Sequence, residues 1–518
     1  MPSRSTALTL AALLVLVAFG ELSASDSIAV GTAKQLFLDD QIVDSLRSVS
    51  RVFNQPEKSE LNPILKGEMP WEGRMIYAGT VLYDDEDRVF KMWYWALNMT
   101  YQVPPKPFEQ YSNLLRAAHY RESFSLCYAT SNDGIRWNRP NLGLVEFQGS
   151  RANNLLPPVT DGRMHGYASI VKDLHDRDPA RRYKAVAWRP KDAQGGYGVG
   201  VYFSPDGLRW TASPRNPVVR ETSDVHTLLG WDDRIQKYVA YFRPGAGQKL
   251  SPRAGTGAVR IIGYSTSDDF EHWSPIVPAL VPDANDPVDT QFYGMPALRY
   301  EGMYLGFPWA FRTNQLTHVP QLVYSRDGLH FARTPGRNDF LPLGARGSFD
   351  DGNAYLVRPV THGDRLWLYY TGTRWRDALD LFELGDSARD SIGLATLPLD
   401  GFVSMEAGPN EGTLTTRALT FAGDRLAVNM QAGRKGYGVD EVTSVRVEIL
   451  DEAGNPIPGF TLGEADALGA TGVAQIARWR GRADVGSLAG RAVRLRFHLK
   501  NVKLYAFQFR RGANAQRP

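Results

Sequence analysis

Charged and aromatic side chains stand just ahead of five apolar, strand-like segments of this 518-residue chain. If those segments lie around one axis, the side chains before them meet in one funnel. Carboxyl groups that crowd together acquire different pKa values, so one can serve as an acid while another serves as a base or nucleophile. Cleavage of a glycosidic bond requires such a pair. The predicted catalytic residues are Glu72, Asp224, Asp289 and Asp40.

Other side chains near the same segments could hold a substrate. Aromatic rings can stack on the apolar face of a sugar, and histidine can hydrogen-bond hydroxyl groups or carry protons. The predicted substrate-binding residues are Asp39, Trp71, Arg163, His165, His226, Gln291, Tyr293, Asp350 and Asp351. Each has a structural alternative, since Asp also caps turns and aromatic rings also fill cores. We expect no cofactor, although Asp350 and Asp351 could equally ligate calcium.

A repeat supplies the elements that would position these residues. Five times a short strand runs into a tight Asp turn, and four of those turns are followed by an aromatic residue; the turns are marked by Asp133, Asp206, Asp269, Asp327 and Asp400. These markers recur every 58 to 73 residues, an interval typical of stacked repeats. The marker residues Asp133, Asp206 and Asp327 are predicted to be scaffold, because their spacing to Gly and to Trp or Phe is that of a packed turn.

Each marker is preceded by an apolar strand, a polar turn and an aromatic-rich strand, as in MIYAGTVLY (75–83), DDEDR and VFKMWYWAL (89–97). Four strands per unit make one propeller blade, so the sequence predicts an all-β chain with a five-bladed β-propeller. Two insertions, 103–122 and 373–390, each with a predicted short helix, could form the rim of a site or plain surface loops. The segment LFLDDQIVD (36–44) could close the ring or deliver Asp39 or Asp40 to the pocket.

The repeat stops after Phe402, and six short strand-like segments follow, separated by turn residues. They predict a C-terminal β-sandwich over 403–518, with the propeller over 26–402. The hydrophobic content of 43% and the charged content of 22% are those of a globular protein.

The first 25 residues combine Arg4, an apolar stretch and small residues, which is the pattern of a secretory signal peptide. The single Cys127 excludes internal disulfides and cysteine-rich metal clusters. A net charge of +3 is too small and too dispersed to indicate a nucleic-acid partner. We expect a secreted or periplasmic bacterial monomer that has no membrane association after cleavage and whose partner is a carbohydrate.

The turns from Ser131 to Trp137, Ser204 to Trp210 and Ser325 to Phe331, with LFLDD, PWEG and the closing YYTG and GLATLPLDGF, resemble the five-bladed propeller glycoside hydrolases. This superfamily holds the family 32, 43 and 68 enzymes and the family 130 phosphorylases. The resemblance covers nearly all of the mature chain and is strongest to a secreted bacterial subgroup with a C-terminal β-sandwich. It implies that an Asp from the first blade, an Asp from the second and a Glu from the third act together.

The chain departs from that pattern at each of the three positions. It has no WMNDPNG-type motif, and Asp39 or Asp40 is the nearest candidate for the Asp of that motif. It also has no RDP motif and no EC motif. The catalytic acid could be Glu72 or Glu221. The predicted function is cleavage of poly- or oligosaccharides by paired carboxyl groups. The alternatives are a carbohydrate-binding propeller without catalysis, a phosphorylase or transferase that holds phosphate through Arg163, and a structural interaction propeller.

Overall fold

The computed structural model describes residues 27–73, 75–97, 124–158, 165–189, 198–220, 222–244, 259–376, 389–433 and 442–512. The predicted signal peptide, the insertion at 103–122, most of the insertion at 373–390, and Arg163 lie outside these ranges. Regular structure in the described residues is β-strand with short 3-10 turns, which confirms the all-β prediction. None of these residues forms a helix long and apolar enough to cross a membrane.

Four short strands open the described chain: β1 (Ile28–Gly31), β2 (Gln35–Leu36), β3 (Val43–Arg47) and β4 (Ser50–Phe53). All four pair with strands beyond residue 402. Residues 28–53, which the sequence analysis assigned to the first domain, therefore contribute strands to the C-terminal sheets. Phe37 and Leu38 of the LFLDD segment are buried in the core of the C-terminal sheets, and this segment does not close the ring. The apolar residues of a strand predict that the strand is buried, but they do not indicate which sheet edge it joins.

The middle of the chain folds into five antiparallel units, numbered here in chain order. Two short strands, β5 (Glu57–Lys58) and β6 (Leu65–Lys66), precede them. Unit 1 contains β7 (Met75–Asp84), β8 (Val89–Leu97) and β9 (Phe124–Ser131). Unit 2 contains β10 (His165–Lys172), β11 (Tyr183–Arg189), β12 (Gly198–Ser204), β13 (Thr211–Ala212) and β14 (Val219–Arg220). Unit 3 contains β15 (Thr222–Asp232), β16 (Lys237–Pro244), β17 (Ile262–Ser267) and β18 (Val277–Leu280).

Unit 4 is divided into two sheets that continue one another. Its strands are β19 (Thr290–Phe292), β20 (Ala297–Tyr300), β21 (Met303–Gly306), β22 (Trp309–Arg312), β23 (Thr317–Pro320), β24 (Val323–Ser325) and β25 (Ala332–Arg333). The breaks fall beside Pro296 and Pro308, which have no amide hydrogen for the ladder. The amide of Trp309 donates to the carbonyl of Gly294 (2.7 Å) across the gap, so the halves form one unit.

Unit 5 contains β26 (Asn353–Leu356), β27 (Val360–His362), β28 (Arg365–Thr373) and β29 (Ser391–Pro398). Its outer strand β29 pairs with β5 and β6, which come from the start of the chain. The last unit is thus completed by residues that precede the first one, and this pairing ties the two ends of the five-unit segment together.

The first strands of neighbouring units lie side by side at the same level. The amide of Ile170 donates to Thr80 Oγ1, and the amide of Leu228 donates to Ser169 Oγ, both at 2.9 Å. Residues from the first strands of units 1 to 4 and the two residues directly after β26 of unit 5, Val357 and Arg358, line one cavity of about 40 Å³, which has room for only a few water molecules. The first strands therefore begin at a common end, called the upper face below; it is marked by Met75, His165, Thr222, Thr290 and Asn353.

The marker turns are scaffold, as predicted. Asp206 Oδ1 accepts the amides of Leu208 (2.8 Å) and Arg209 (2.9 Å), and the same pattern recurs at Asp133 and Asp327. The carbonyl that follows the marker accepts a hydrogen bond from an aromatic side chain of the preceding unit. The donors are Trp93 for Gly207, Tyr241 for Gly328 and Tyr369 for Gly134. The last of these bonds joins unit 5 to unit 1.

The chain ends in β30 (Val403–Ala407), β31 (Gly412–Thr416), β32 (Leu419–Phe421), β33 (Arg425–Ala432), β34 (Ser444–Asp451), β35 (Gly472–Ile476), β36 (Val493–Lys500) and β37 (Val502–Arg510). With β1 to β4 they form two six-stranded sheets. The order of the first is β1-β32-β36-β31-β3 with β34 beside β36, and that of the second is β35-β33-β37-β30-β4 with β2 beside β37. One hydrophobic core joins these sheets to units 4 and 5.

Candidate active site

Unit 3 places two of the predicted site residues in its first strand. The backbone of Asp224 lies in β15, two residues after the strand begins, while its side chain lies outside the described part of the molecule. His226 follows on the same strand, is buried, and lines the central cavity. His165 begins β10 of unit 2, and only its backbone is described. The backbones of these three residues therefore lie in the first strands of units 2 and 3, near the ends of those strands at the upper face.

Unit 4 brings Asp289, Gln291 and Tyr293 to the same face. Asp289 is partly exposed, and its Oδ2 accepts only the amide of Asn314 (3.2 Å) among the described residues. Gln291 Oε1 accepts a hydrogen bond from the guanidinium of Arg260 (2.7 Å). The guanidinium of Arg243 lies 3.8 Å above the Tyr293 ring, so that ring face is occupied by the protein.

Glu72 is fully buried and its carboxylate is already saturated with donors. Arg139 donates to both carboxylate oxygens (2.7 and 3.0 Å), and Tyr94 donates to Oε1 (2.5 Å). The amides of Glu68 and Met69 donate to Oε2 (3.0 and 3.1 Å). A carboxylate held by five donors is an anchor for the segment before β7 and has no lone pair directed at a substrate.

The remaining predicted residues are likewise engaged with the protein, and they do not form one group. Asp39 makes a bidentate pair with Arg326 (both 2.8 Å), which also holds the pKa of Asp39 below its usual value although burial opposes it. Asp40 is exposed beside Arg51. Asp350 is buried against Lys58 (2.6 Å) and Tyr370.

Asp351 and Trp71 complete the set. Asp351 accepts the amide of Gly347 (2.6 Å) within its own turn. Trp71 donates to Asn154 (2.7 Å) and packs against Phe147. Neither residue is joined to the groups on the upper face by a described hydrogen bond.

Asp390, which the sequence analysis did not single out, is a buried carboxyl group on the upper face. It lies beside the start of β7, where the amide of Ile76 donates to its carbonyl (3.3 Å). Trp375 Nε1 donates to Oδ1 (2.7 Å), Tyr77 supplies a second hydrogen bond, and Oδ2 is buried without a partner in the described residues. Burial raises the pKa of Asp390 to about 7, and the two hydrogen bonds only partly oppose this.

His318 and Asn353 form a second buried group, which is connected to the first. His318 is the second residue of β23 in unit 4, and its Nδ1 lies 2.9 Å from Asn353 Oδ1. Asn353 Nδ2 donates to the carbonyl of Trp375 (2.7 Å), and Trp375 in turn bonds Asp390. Burial, together with the nearby charges of Arg243 and Arg260, lowers the pKa of His318 to about 3, and the hydrogen bond with Asn353 only partly opposes this.

A polar network therefore follows the upper face from unit 4 through unit 5 to unit 1. Its members are His318, Asn353, Trp375, Asp390 and Tyr77, and both ionisable groups in it are held neutral over a wide pH range below 7. Beside it stands an aromatic wall, made of Tyr293, Trp309 and Tyr355. The sequence offered one clue, because Asp390 directly precedes the strand SIGLATL; nothing in the strand pattern marked His318.

Among the described residues, no group of three or more His, Cys, Asp or Glu side chains is placed to hold a metal ion. The calcium alternative at Asp350 and Asp351 gains no support here, because Lys58 occupies Asp350.

No protein-family model and no curated protein matches the chain. Among solved structures it is similar to a glycoside hydrolase, at 13% identity and a TM-score of 0.44, over 66% of this chain and 92% of that chain. It is also similar to a β-1,2-mannobiose phosphorylase from Listeria innocua, at 14% identity and a TM-score of 0.47, over 67% and 97% of the two chains. A third is the GH32 β-fructofuranosidase of Bombyx mori, at 11% identity and a TM-score of 0.41, over 88% and 95%. Likenesses at these identities and TM-scores assign neither a family nor an activity to the chain.

Proposed function

We propose that the protein is a glycoside hydrolase that cleaves poly- or oligosaccharides at the upper face. The observation that carries the proposal is the enclosed Asp390 carboxyl beside the aromatic wall. Glycosidic-bond cleavage needs a carboxyl group that still holds its proton near neutral pH, and burial without a paired cation keeps Asp390 in that state.

In the proposed reaction Asp390 acts through Oδ2, the oxygen that has no protein partner among the described residues. It gives its proton to the leaving oxygen as the bond between that oxygen and the anomeric carbon breaks. A second carboxyl group, from Asp224 or Asp289, either removes a proton from the attacking water or bonds the anomeric carbon itself. The aromatic wall consists of packed rings, of which Trp309 and Tyr355 are buried, and it borders the network on the side of His318.

The proposal extends to the architecture and the location. The five units are proposed to be the blades of one β-propeller, supported by their shared cavity and by the closing pair of β29 with β5 and β6. The two six-stranded sheets are proposed to be a β-sandwich. The signal-peptide pattern of residues 1–25 supports a secreted or periplasmic location. A monomeric state and a carbohydrate substrate are further parts of the proposal.

A screen of 4-nitrophenyl glycosides and plant and bacterial polysaccharides tests the function. The wild-type protein should hydrolyse at least one of them, and Asp390→Asn should lower kcat/KM on that substrate by about 100-fold or more. Asp224→Asn and Asp289→Asn identify the second carboxyl group by the same loss. Asp268→Asn, which changes an exposed carboxyl group paired with Lys237, is the matched control and should keep the wild-type rate.

Two outcomes would overturn the proposal. A wild-type protein that binds glycans on an array but hydrolyses none would be a carbohydrate-binding propeller. An active protein whose rate is unchanged by Asp390→Asn would have its acid elsewhere.

A further inference from the structure

His318 has one ring nitrogen engaged and the other without a partner. The residue is 6% exposed, and its Nε2 atom is buried with no hydrogen-bond partner among the described residues. Its Nδ1 atom faces Asn353 Oδ1 at 2.9 Å and the hydroxyl of Tyr355 at 3.1 Å. Which nitrogen carries the proton decides whether Nε2 is a donor or an acceptor.

The hydrogen bonds of Asn353 determine that tautomer. The backbone amide of His318 donates to Asn353 Oδ1 at 2.8 Å, and because an amide can only donate, this atom must be the oxygen. On the other side, Asn353 Nδ2 meets the carbonyl oxygen of Trp375 at 2.7 Å, which can only accept. The oxygen near Nδ1 can therefore only accept, so Nδ1 carries the hydrogen and Nε2 presents a lone pair.

The ring is also held in place by its neighbours. Phe311 stacks on it at 4.4 Å with an interplanar angle of 8°, and the edge of Tyr293 meets it at 4.6 Å. Because the ring is fixed and no described protein group donates to Nε2, this buried acceptor destabilises the folded protein unless another molecule donates a hydrogen bond to it.

The surroundings also restrict what that donor can be. The charges of Arg243 and Arg260 disfavour a cation near the ring, and no described carboxylate or cysteine completes a metal site with it. A neutral hydroxyl group satisfies the lone pair without adding charge, and saccharides carry such hydroxyls.

We propose that Nε2 of His318 accepts a hydrogen bond from one hydroxyl group of the bound saccharide, which makes His318 a substrate-specificity residue. The inference rests on the proposed function for the identity of the ligand, whereas the tautomer stands on the hydrogen bonds alone.

Nitrogen-15 NMR of histidine-labelled protein tests the tautomer without any substrate. His318→Asn identifies the signals by their loss, and it keeps an amide donor for Asn353 while removing the Nε2 acceptor. Nδ1 should be protonated and Nε2 unprotonated from pH 5 to pH 8. A ring protonated at Nε2, or one that titrates in this range, would overturn the inference.

A double-mutant cycle with deoxy sugars tests the role. With the glycoside that the wild type hydrolyses, His318→Asn should lower kcat/KM by about 10- to 100-fold while Tm changes by only a few degrees. Removing one particular hydroxyl group from the substrate should lower kcat/KM of the wild type by the same 10- to 100-fold factor, and it should leave kcat/KM of His318→Asn unchanged. His330→Asn, the same substitution on an exposed marker turn, is the control and should behave as wild type.

The outcomes separate the two claims. If the wild type is active but every deoxy substrate loses the same factor with and without His318→Asn, the role proposed for His318 is wrong and the proposed function stands. If the wild type only binds glycans, the same cycle is run on Kd. If it neither hydrolyses nor binds any saccharide, the proposed function and this role both fall.

Discussion

Glu72 and Asp390 are both fully buried carboxyl groups, and they differ in the donors that surround them. Five donors, including a guanidinium, meet Glu72, whereas Asp390 receives hydrogen bonds only from Trp375 and Tyr77 and has no ion pair among the described residues. Burial of a charge is tolerated when it is paired, and otherwise the group retains its proton. The first arrangement stabilises the fold, and the second keeps an acid available.

Glu72→Gln should therefore act on stability. The substitution leaves the Arg139 guanidinium without its counter-ion in a buried site, so we expect the free energy of unfolding to fall by about 3 to 5 kcal/mol. Urea unfolding followed by circular dichroism measures the change. Asp40→Asn breaks the exposed pair with Arg51 and should cost no more than about 1 kcal/mol. Equal effects of the two substitutions would contradict this reading of Glu72.

Asp390 should give the stability a pH dependence that Asp390→Asn removes. Its pKa is about 7 in the folded state against 3.8 in the unfolded chain, so between these values the folded state binds the proton more tightly. The contribution of this group is fully present below about pH 4 and is lost as the pH rises towards and through 7. From pH 5 to pH 7 wild type should lose about 2 kcal/mol relative to Asp390→Asn. A difference between the two proteins that stays constant over this range would show that Asp390 ionises normally.

At the scale of elements, the repeated turns are the contacts that join one unit to the next. The glycines that follow three of the markers, Gly134, Gly207 and Gly328, adopt positive φ and approach aromatic side chains closely. At Gly207 φ is +75°, and a Cβ there would lie 2.7 Å from Trp93 Cζ2. Trp93 also donates to the Gly207 carbonyl, so one turn of unit 2 depends on one side chain of unit 1.

Gly207→Ala should destabilise more than a glycine substitution of equal backbone strain. Gly143 has φ of +69° and open space around it, so Gly143→Ala carries the conformational cost alone, about 1 kcal/mol. Gly207→Ala adds the collision with the buried Trp93 ring, for which we expect about 1 to 3 kcal/mol more. Thermal unfolding of the two variants side by side measures the difference, and similar Tm values would mean that the turn does not hold the units together.

Strands whose bounds depend on the local residue pattern could be predicted from the sequence, whereas the polar network at the candidate site could not be predicted. The segment 89–97 was predicted at its observed bounds because its aromatic and apolar residues and the turn residues before it define the strand. The pairing of β1 to β4 with the C-terminal sheets could not be predicted from the sequence, because it joins residues that are at least 350 positions apart. His318, Asn353 and Asp390 come from different strands, and only the three-dimensional arrangement brings them into one network.

At the scale of the whole molecule, the two ends of the chain are joined to the five units by buried polar contacts as well as by the shared core. Asp400, the fifth marker residue, is buried and receives hydrogen bonds from Lys34 (3.0 Å), Tyr300 (2.6 Å) and Asn429 (2.7 Å). Its partners come from the N-terminal strands, unit 4 and the C-terminal sheets. This residue therefore holds the joint between the two parts of the molecule, unlike the exposed markers Asp133, Asp206 and Asp327.

Because core and joint are both shared, we expect the two parts to unfold in one transition despite the length of the chain. Trp479 belongs to the C-terminal part and Trp93 to unit 1, and both are buried. In protein labelled with 5-fluorotryptophan, the native fluorine signals of these two residues should disappear at the same urea concentration. Asp400→Asn should lower both midpoints together, since it leaves Lys34 without its buried partner. If the Trp479 signal were lost first while that of Trp93 remained native, the C-terminal sheets would be an independent folding unit, and the shared core would contribute little to their stability.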